Sequence, residues 1–228
     1  AYLKTLQPVH NPVVANTLPF PMNIRAAMWA WDMLYFDPGA YKPDPQKSAQ
    51  WNRGAFLVQG PGHCGACHTP KSLLGGDKTS EALRGSTLQG WFAPDITDDQ
   101  RTGLGSWSNN DIVAYLKSGH NRITAATGPM AEEIEHSTSK MTDSDLTAMA
   151  VYLKSLTGQT ETPTPVAAND PAMVAGHAIY RDQCSACHGL DGHGVAKLFP
   201  SLANSSVVRA SDPTTMIRII LRGARSVA

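Results

Sequence analysis

Apolar residues recur at helical spacing in several segments of the chain, and polar or proline-rich stretches separate these segments. The first apolar segment, residues 24–36 (IRAAMWAWDMLYF), is apolar on nearly all sides and is interrupted only by Arg25 and Asp32. Asn23 precedes it as a candidate helix cap. A helix of this kind is buried or lies at an interface. We expect it to pack between neighbouring domains; docking to a partner subunit or to the membrane interface is the alternative.

Paired capping residues predict two later helices. Ser108 and Asp111 form a capping-box pattern, which predicts a helix over 109–118. Thr142 and Asp145 repeat the pattern ahead of apolar residues at helical spacing, so a further helix is expected there. Met141 directly precedes this second cap, and that position favours a packing role.

The two halves of the chain share these patterns. Asp44-Pro45 and Asp170-Pro171 each place an N-cap residue before a proline at the first helical position. Segment 214–225 (TTMIRIILRGAR) parallels segment 110–122 (NDIVAYLKSGHNR). Such a repeat predicts two units of one fold.

The predicted fold class is all-α, with two small domains in tandem preceded by a linker and a short helix. The opening AYLKTL matches AVYLKSL at 150–156, so the chain is expected to begin on the last helix of a further domain. The predicted parts are 1–43 (the end of a preceding domain, a linker and the apolar helix), 44–156 (a complete domain), 157–169 (a linker) and 170–228 (a domain incomplete at its C-terminal end).

All four cysteines lie in two Cys-x-x-Cys-His motifs. Two thiols followed by histidine are what covalent haem attachment requires, because the thiols bond the porphyrin vinyl groups and the histidine binds the iron. Each motif has its own helical surroundings, which disfavours a shared zinc ion or a thioredoxin-like dithiol. We therefore expect two c-type haems, held by the residues Cys64, Cys67, His68, Cys184, Cys187 and His188.

The net charge and the hydropathy of the chain argue against nucleic-acid binding and against a membrane-spanning segment. The formal net charge is +0, which gives no electrostatic case for binding nucleic acid. No stretch approaches the roughly 20 apolar residues of a membrane span. Because c-type haem is normally attached outside the bacterial cytoplasm, the motifs predict a periplasmic location.

A haem electron carrier usually has a methionine as the second axial ligand. Met130 follows a Gly-Pro pair in a predicted non-helical loop, and a loop can bring the sulfur to the iron, so we expect Met130 rather than Met141 to be this ligand. In the second unit the corresponding position falls beyond residue 228. We expect the sequence to be cut short there; another ligand (His193 or Met216) or an open iron position is the alternative.

Four further residues are candidates for the haem pockets. The carbonyls of Pro94 and Pro200 are placed to accept the second ring N–H of the motif histidines. Trp91 and Trp107 could donate to haem propionates, although simple burial in the crevice is the alternative.

Several motifs carry a family resemblance: RGAFLVQGPGHCGACHTPKSLLGG, LQGWFAPDIT, GLGSWS, GPMAEEIEHSTSKMTDSDL and CSACHGLDGHGVAKLFPSLANS. The chain resembles the cytochrome c subunit of bacterial membrane-bound alcohol, gluconate, sorbitol, fructose and glucose dehydrogenases. Segment 19–50 resembles the inter-domain segment of that family.

The resemblance implies class I cytochrome c domains, with three haems in the whole protein and two in this chain. It implies transfer of electrons from a catalytic subunit with a flavin (FAD) or pyrroloquinoline quinone (PQQ) to ubiquinone, at the periplasmic face of the inner membrane. The chain would then have no substrate chemistry of its own. A freestanding dihaem shuttle cytochrome and, less favoured, a dihaem cytochrome c peroxidase are the alternatives.

Overall fold

The computed structural model describes residues 2–159, 163–195 and 198–227, and these residues are mostly helical. Two short strands, β1 (Ser86–Leu88) and β2 (Trp91–Ala93), pair antiparallel with Thr87 opposite Phe92. The α-helices are α1 (Arg25–Tyr35), α2 (Ala49–Gln59), α3 (Gly65–His68), α4 (Asn109–Ser118), α5 (Pro129–His136), α6 (Asp143–Lys154), α7 (Pro171–Gln183), α8 (Ser185–His188), α9 (Ser206–Arg209) and α10 (Thr214–Arg222).

Residues 1–39 form one compact unit and residues 40–228 a second. In the first unit, α1 occupies the predicted apolar segment, but no residue of this helix is buried. The predicted cap at Asn23 is wrong: Ile24 is the N-cap residue and makes no side-chain capping bond. Asn23 instead follows a turn in which Met22 N–H donates to the Pro19 carbonyl, so the helix begins one residue later.

The predicted helix start at Asp44-Pro45 is also wrong. Asp44 accepts a hydrogen bond from Gln46 N–H, and Lys47 N–H donates to the Asp44 carbonyl, so this segment is a turn. Helix α2 begins at Ala49, and the Ser48 hydroxyl accepts from Trp51 N–H at 3.1 Å. A local cap therefore outcompetes the Asp-Pro pattern four residues earlier.

Other predicted caps are confirmed. Ser108 and Asp111 form a full capping box at the start of α4. Thr142 accepts from Asp145 N–H before α6, at 3.2 Å. Asp170 accepts from Ala172 N–H before α7, with Pro171 at the first helical position.

The main hydrophobic core lies where α2 and α4 pack on α6. Its most buried side chains come from these three helices and from the segments joining them; they include Ala55, Val58, Ile112, Leu146, Met149, Ala150 and Leu153. The β1–β2 hairpin contacts α3, and Cys64, directly before α3, is partly buried against this core. The core therefore positions the first Cys-x-x-Cys-His motif, which begins five residues after α2 ends.

The part of the chain after residue 170 has a different burial pattern. No described hydrophobic side chain there is buried, whereas the small polar residues Ser201, Ser205 and Thr215 are. Helix α7 has no buried residue, and its apolar Met173, Val174 and Ile179 are exposed. Within the described ranges, no helix has both the length and the apolar character needed to cross a membrane.

Candidate haem attachment sites

The first motif forms a single helical turn directly after α2. The turn is set up by Gly62 N–H, which donates to the Leu57 carbonyl at 2.8 Å, and it continues with His68 N–H donating to the Cys64 carbonyl at 3.0 Å. In a helix, residues three and four apart are neighbours. Cys64, Cys67 and His68 have this spacing, so both thiols and the imidazole lie side by side.

The ring of His68 is oriented by the strand that follows. Its Nδ1 atom lies 2.7 Å from the carbonyl oxygen of Pro94, the contact that the sequence predicts. Burial lowers the pKa of His68, while the bond to Pro94 opposes this change. A neutral imidazole whose Nδ1–H is donated to a carbonyl presents Nε2 as a metal ligand.

The first cysteine is held as a protonated thiol. Burial is the main cause, and the Glu133 carboxylate adds to it; together they raise the pKa of Cys64 to about 11. All four cysteines are free of disulfides, and the described residues contain no cluster of three or more His, Cys, Asp or Glu side chains able to hold a metal ion.

Residues that the sequence did not single out support the first turn. Lys71 Nζ donates to the Gly65 carbonyl at 2.8 Å and pairs with Asp77 at 2.6 Å. The buried Thr69 hydroxyl accepts from Leu83 N–H at 3.0 Å. These bonds join residues six or fourteen positions apart, and no local motif marks them.

The second motif has the same local geometry. His188 N–H donates to the Cys184 carbonyl at 3.0 Å, and His188 Nδ1 lies 3.0 Å from the Pro200 carbonyl oxygen. The Tyr180 hydroxyl donates to the Gly189 carbonyl at 2.5 Å and joins α7 to the end of the motif. The arrangement of thiols, imidazole and proline carbonyl therefore occurs twice.

The structure corrects the predicted setting of Met130. This residue is not in a loop but in the first turn of α5, one residue after Pro129. Gly128 caps the helix at φ +58°, and a proline at the first position is preorganised for a helix, so the Gly-Pro pair starts α5 rather than interrupting it. Met130 is partly buried and packs against both apolar clusters, as Tyr115 does.

Met141, the rival methionine, lies in extended backbone just before α6 and is partly buried against the main core. Its backbone carbonyl accepts from Lys117 Nζ at 2.7 Å. Leu146, one helical turn further on, is fully buried in the same core. The surroundings of Met141 are therefore those of a packing residue.

The two candidate tryptophans have different surroundings. Trp107 is buried in the main core and packs edge-on against Tyr115, with ring centroids 5.4 Å apart. Trp91 is half-buried, and the guanidinium carbon of Arg218 lies 4.5 Å from its ring centroid. His193 is exposed and Met216 lies half-buried in α10, so neither shows a contact that marks a ligand.

These residues fit a covalently attached haem. Each motif offers two adjacent thiols without a disulfide, together with an imidazole whose Nδ1 is already engaged. At the first motif, burial lowers the pKa of His68, which favours the neutral imidazole that iron ligation requires.

Comparison with known proteins agrees with this geometry. Residues 52–157 match the family model described as cytochrome c, and residues 171–228 match the model described as cytochrome c oxidase, cbb3-type, subunit III. Matched cytochrome c domains imply binding of haem c.

Three of the similar proteins are subunits of dehydrogenases by name. The chain is 35% identical to the cytochrome c subunit of a quinone alcohol dehydrogenase from Gluconacetobacter polyoxogenes, over 97% of this chain and 51% of the relative. It is 35% identical to the cytochrome subunit of fructose dehydrogenase from Gluconobacter japonicus, over 98% and 51%. It is 38% identical to one of the subunits of nicotinate dehydrogenase from Pseudomonas putida, over 98% and 19%. The chain spans about half the length of the first two.

Proposed function

This chain belongs to the family of the cytochrome c subunits of alcohol, fructose and gluconate dehydrogenases, and we propose that it carries electrons from a catalytic dehydrogenase subunit to a quinone. The observation that carries the proposal is the repeated pairing of a motif histidine with a proline carbonyl, at 2.7 Å for His68 and 3.0 Å for His188. Paired in this way, each imidazole is fixed in ring orientation and tautomer.

In this proposal the residues divide into attachment, ligation and orientation. Haem c, when bound, supplies reversible one-electron chemistry. The proposed roles are covalent attachment by Cys64, Cys67, Cys184 and Cys187, iron ligation by His68, His188 and Met130, and orientation of the histidines by Pro94 and Pro200. Two haems would then be carried by this chain, in two cytochrome c domains in tandem.

The orientation of His68 has a consequence for redox chemistry. An imidazole held by a short bond at Nδ1 needs little rearrangement when the charge on the iron changes, and a thioether is a neutral ligand that favours the reduced state. His68 and Met130 together would therefore suit an electron carrier rather than a site that binds substrate. The chain is accordingly proposed to be non-catalytic on its own.

The partner is proposed from the relatives. Their names refer to alcohol, fructose and nicotinate, which are chemically different donors, so the electron carrier is the shared part and the substrate is handled by the other subunit. We propose a flavin- or PQQ-bearing subunit as the donor, ubiquinone as the acceptor, and the periplasmic face of the inner membrane as the place of action.

Mass spectrometry of the purified chain tests haem attachment. We expect two covalent haems in the unsubstituted protein, one in a Cys64→Ser/Cys67→Ser variant and one in a Cys184→Ser/Cys187→Ser variant. Retention of both haems in either double variant would refute the attachment argument.

Ferric absorption spectra test the proposed ligand. Met130→Ala should keep both haems but lose the charge-transfer band of methionine-ligated haem (about 695 nm) that belongs to the first site. Met141→Ala is the matched control and should keep that band. Loss of the band in Met141→Ala alone would assign the ligand to Met141.

Reduction by the partner tests the direction of electron flow. When the chain is co-purified with its catalytic subunit under anaerobic conditions, addition of the donor substrate should reduce the haems, and added ubiquinone should reoxidise them. A five-coordinate haem that turns over hydrogen peroxide would instead support the peroxidase alternative.

A further inference from the structure

The strand β2 makes hydrogen bonds with the C-terminal half of the chain. The Thr215 hydroxyl of α10 accepts from Phe92 N–H at 2.7 Å and donates to the Phe92 carbonyl at 3.0 Å. Thr215 is only 4% exposed, although it lies in the half of the chain where no described hydrophobic side chain is fully buried. A single buried hydroxyl thus satisfies both backbone groups of Phe92.

A second contact lies at the start of the same strand. The Arg218 guanidinium lies over the ring of Trp91, and its Nη1 donates to the Gly90 carbonyl at 3.3 Å. Gly90 has φ +74°, and a Cβ there would lie 2.9 Å from Arg218 Nη1. The glycine therefore permits the approach of the guanidinium to the strand. Thr215 and Arg218 together hold α10 against β2.

Residues in and directly after this strand contact His68 and the start of the helix that carries Met130. Pro94 directly follows β2, and its carbonyl holds His68 Nδ1 at 2.7 Å. The Trp91 ring covers Gly128, where a Cβ would lie 2.7 Å from the ring, and Gly128 caps the helix that carries Met130. A movement of β2 away from the core would therefore disturb the surroundings of both residues.

We infer that Thr215 and Arg218 are positioning residues for the first haem: by holding β2, they make the redox properties of that haem depend on the seating of the C-terminal half. The inference rests on the proposed function, because it assumes a haem ligated by His68 and Met130. Arg218 also places a positive charge on the Trp91 face, and a haem held against that face would be favoured in its reduced state by this charge.

The test compares matched variants of the complete haem-loaded chain. Arg218→Gln removes the charge and the Trp91 contact. Arg222→Gln removes the same charge from an exposed position one turn further along α10. Thr215→Val removes the hydroxyl at nearly constant volume, and Thr215→Ser keeps it. Haem content is measured by mass, midpoint potentials by spectroelectrochemical titration, and ligation by the ferric methionine band.

We expect all four variants to keep both haems. Arg218→Gln and Thr215→Val should each shift the midpoint potential of the first haem and weaken the methionine band. In Arg218→Gln the shift should be to a lower potential. Arg222→Gln and Thr215→Ser should match the unsubstituted chain. The haem of the second motif serves as the reference and is identified as the one whose signal is missing from the Cys184→Ser/Cys187→Ser protein. Its midpoint potential should move less than that of the first haem.

Two results separate the possible failures. Normal haem content with unmoved potentials and an unchanged methionine band in Arg218→Gln and Thr215→Val would overturn this inference and leave the proposed function intact. Absence of covalent haem from the unsubstituted chain would overturn the proposed function itself. If Thr215→Val does not fold, the half-exposed Arg218 and its control still decide the question.

Discussion

Gly54 of α2 lies directly against the backbone of α6, and its substitution tests the packing of the main core. A Cβ at this position would lie 2.6 Å from the carbonyl carbon of Ala148, closer still to its carbonyl oxygen, and 2.8 Å from Cβ of Tyr152. None of these atoms can rotate away, because they belong to backbone or to the first side-chain carbon. We therefore predict that Gly54→Ala destabilises the chain.

The size of the effect follows from the geometry. Ordinary contact with a Cβ begins at 3.4 Å, so α2 and α6 would have to separate by about 0.8 Å or more. Overpacking of a core typically costs about 1–3 kcal/mol, and replacing glycine by alanine in a helix returns about 1 kcal/mol. Because backbone meets backbone, we take the upper end and expect a net loss of about 2 kcal/mol, which changes the ratio of folded to unfolded protein by roughly 30-fold.

Separation of the helices would also strain the contacts beside Gly54. The Trp51 indole N–H donates to the Ser155 hydroxyl at 2.6 Å, and Arg53 pairs with Asp145 at 2.8 Å. The Arg53 side chain is half-exposed, so its ion pair contributes little. The main term is therefore the loss of close packing between the two helices.

Gly176→Ala is the matched control, because Gly176 lies in α7, the helix that precedes the second Cys-x-x-Cys-His motif as α2 precedes the first. No atom lies within 4 Å of a Cβ at Gly176, so we expect a gain of up to about 1 kcal/mol from helix propensity. The assay is urea denaturation of the haem-loaded chain, followed by far-ultraviolet circular dichroism. A Gly54→Ala midpoint equal to or above that of the unsubstituted chain, or equal shifts in both variants, would refute the packing argument.

Two further predictions concern a charge and a second glycine. Asp111→Asn should lower the free energy of unfolding by about 1–2 kcal/mol near neutral pH. Burial alone would raise the pKa of Asp111. The hydrogen bonds of its capping box and the ion pair with Arg122 outweigh burial and lower this pKa. The stability that the Asp111 carboxylate contributes is present above its unfolded pKa of about 4 and is lost as the pH falls through the folded value. Urea titrations of the variant and of the unsubstituted chain between about pH 7 and pH 2 should therefore give stabilities that converge at low pH. A stability difference that stays constant with pH would contradict this. Gly128→Ala should displace Trp91, lower the thermal midpoint and weaken the methionine band. Gly75 also has a positive φ but has open space where a Cβ would lie, so Gly75→Ala should affect only the thermal midpoint. Equal effects of the two substitutions on the methionine band would exclude a steric role for Trp91.

Elements that depend on neighbouring residues could be predicted from the sequence. The capping box at Ser108 and Asp111 and the Asp170-Pro171 helix start are formed as predicted, because each consists of bonds between residues three or fewer apart. Other predictions from local patterns were wrong. At Asp44 a turn forms and Ser48 caps the helix instead, and at Met130 the Gly-Pro pair starts a helix rather than a loop.

The sequence by itself determined the two Cys-x-x-Cys-His motifs, because residues three and four apart share one helical turn and both copies form such a turn. It also indicated the proline acceptors, since each follows its motif in the same order. Only the tertiary structure decided that Thr215 and Arg218 hold β2 and that Trp91 covers Gly128. These contacts join residues far apart in the chain, so they depend on how the core brings the segments together, which no local pattern specifies.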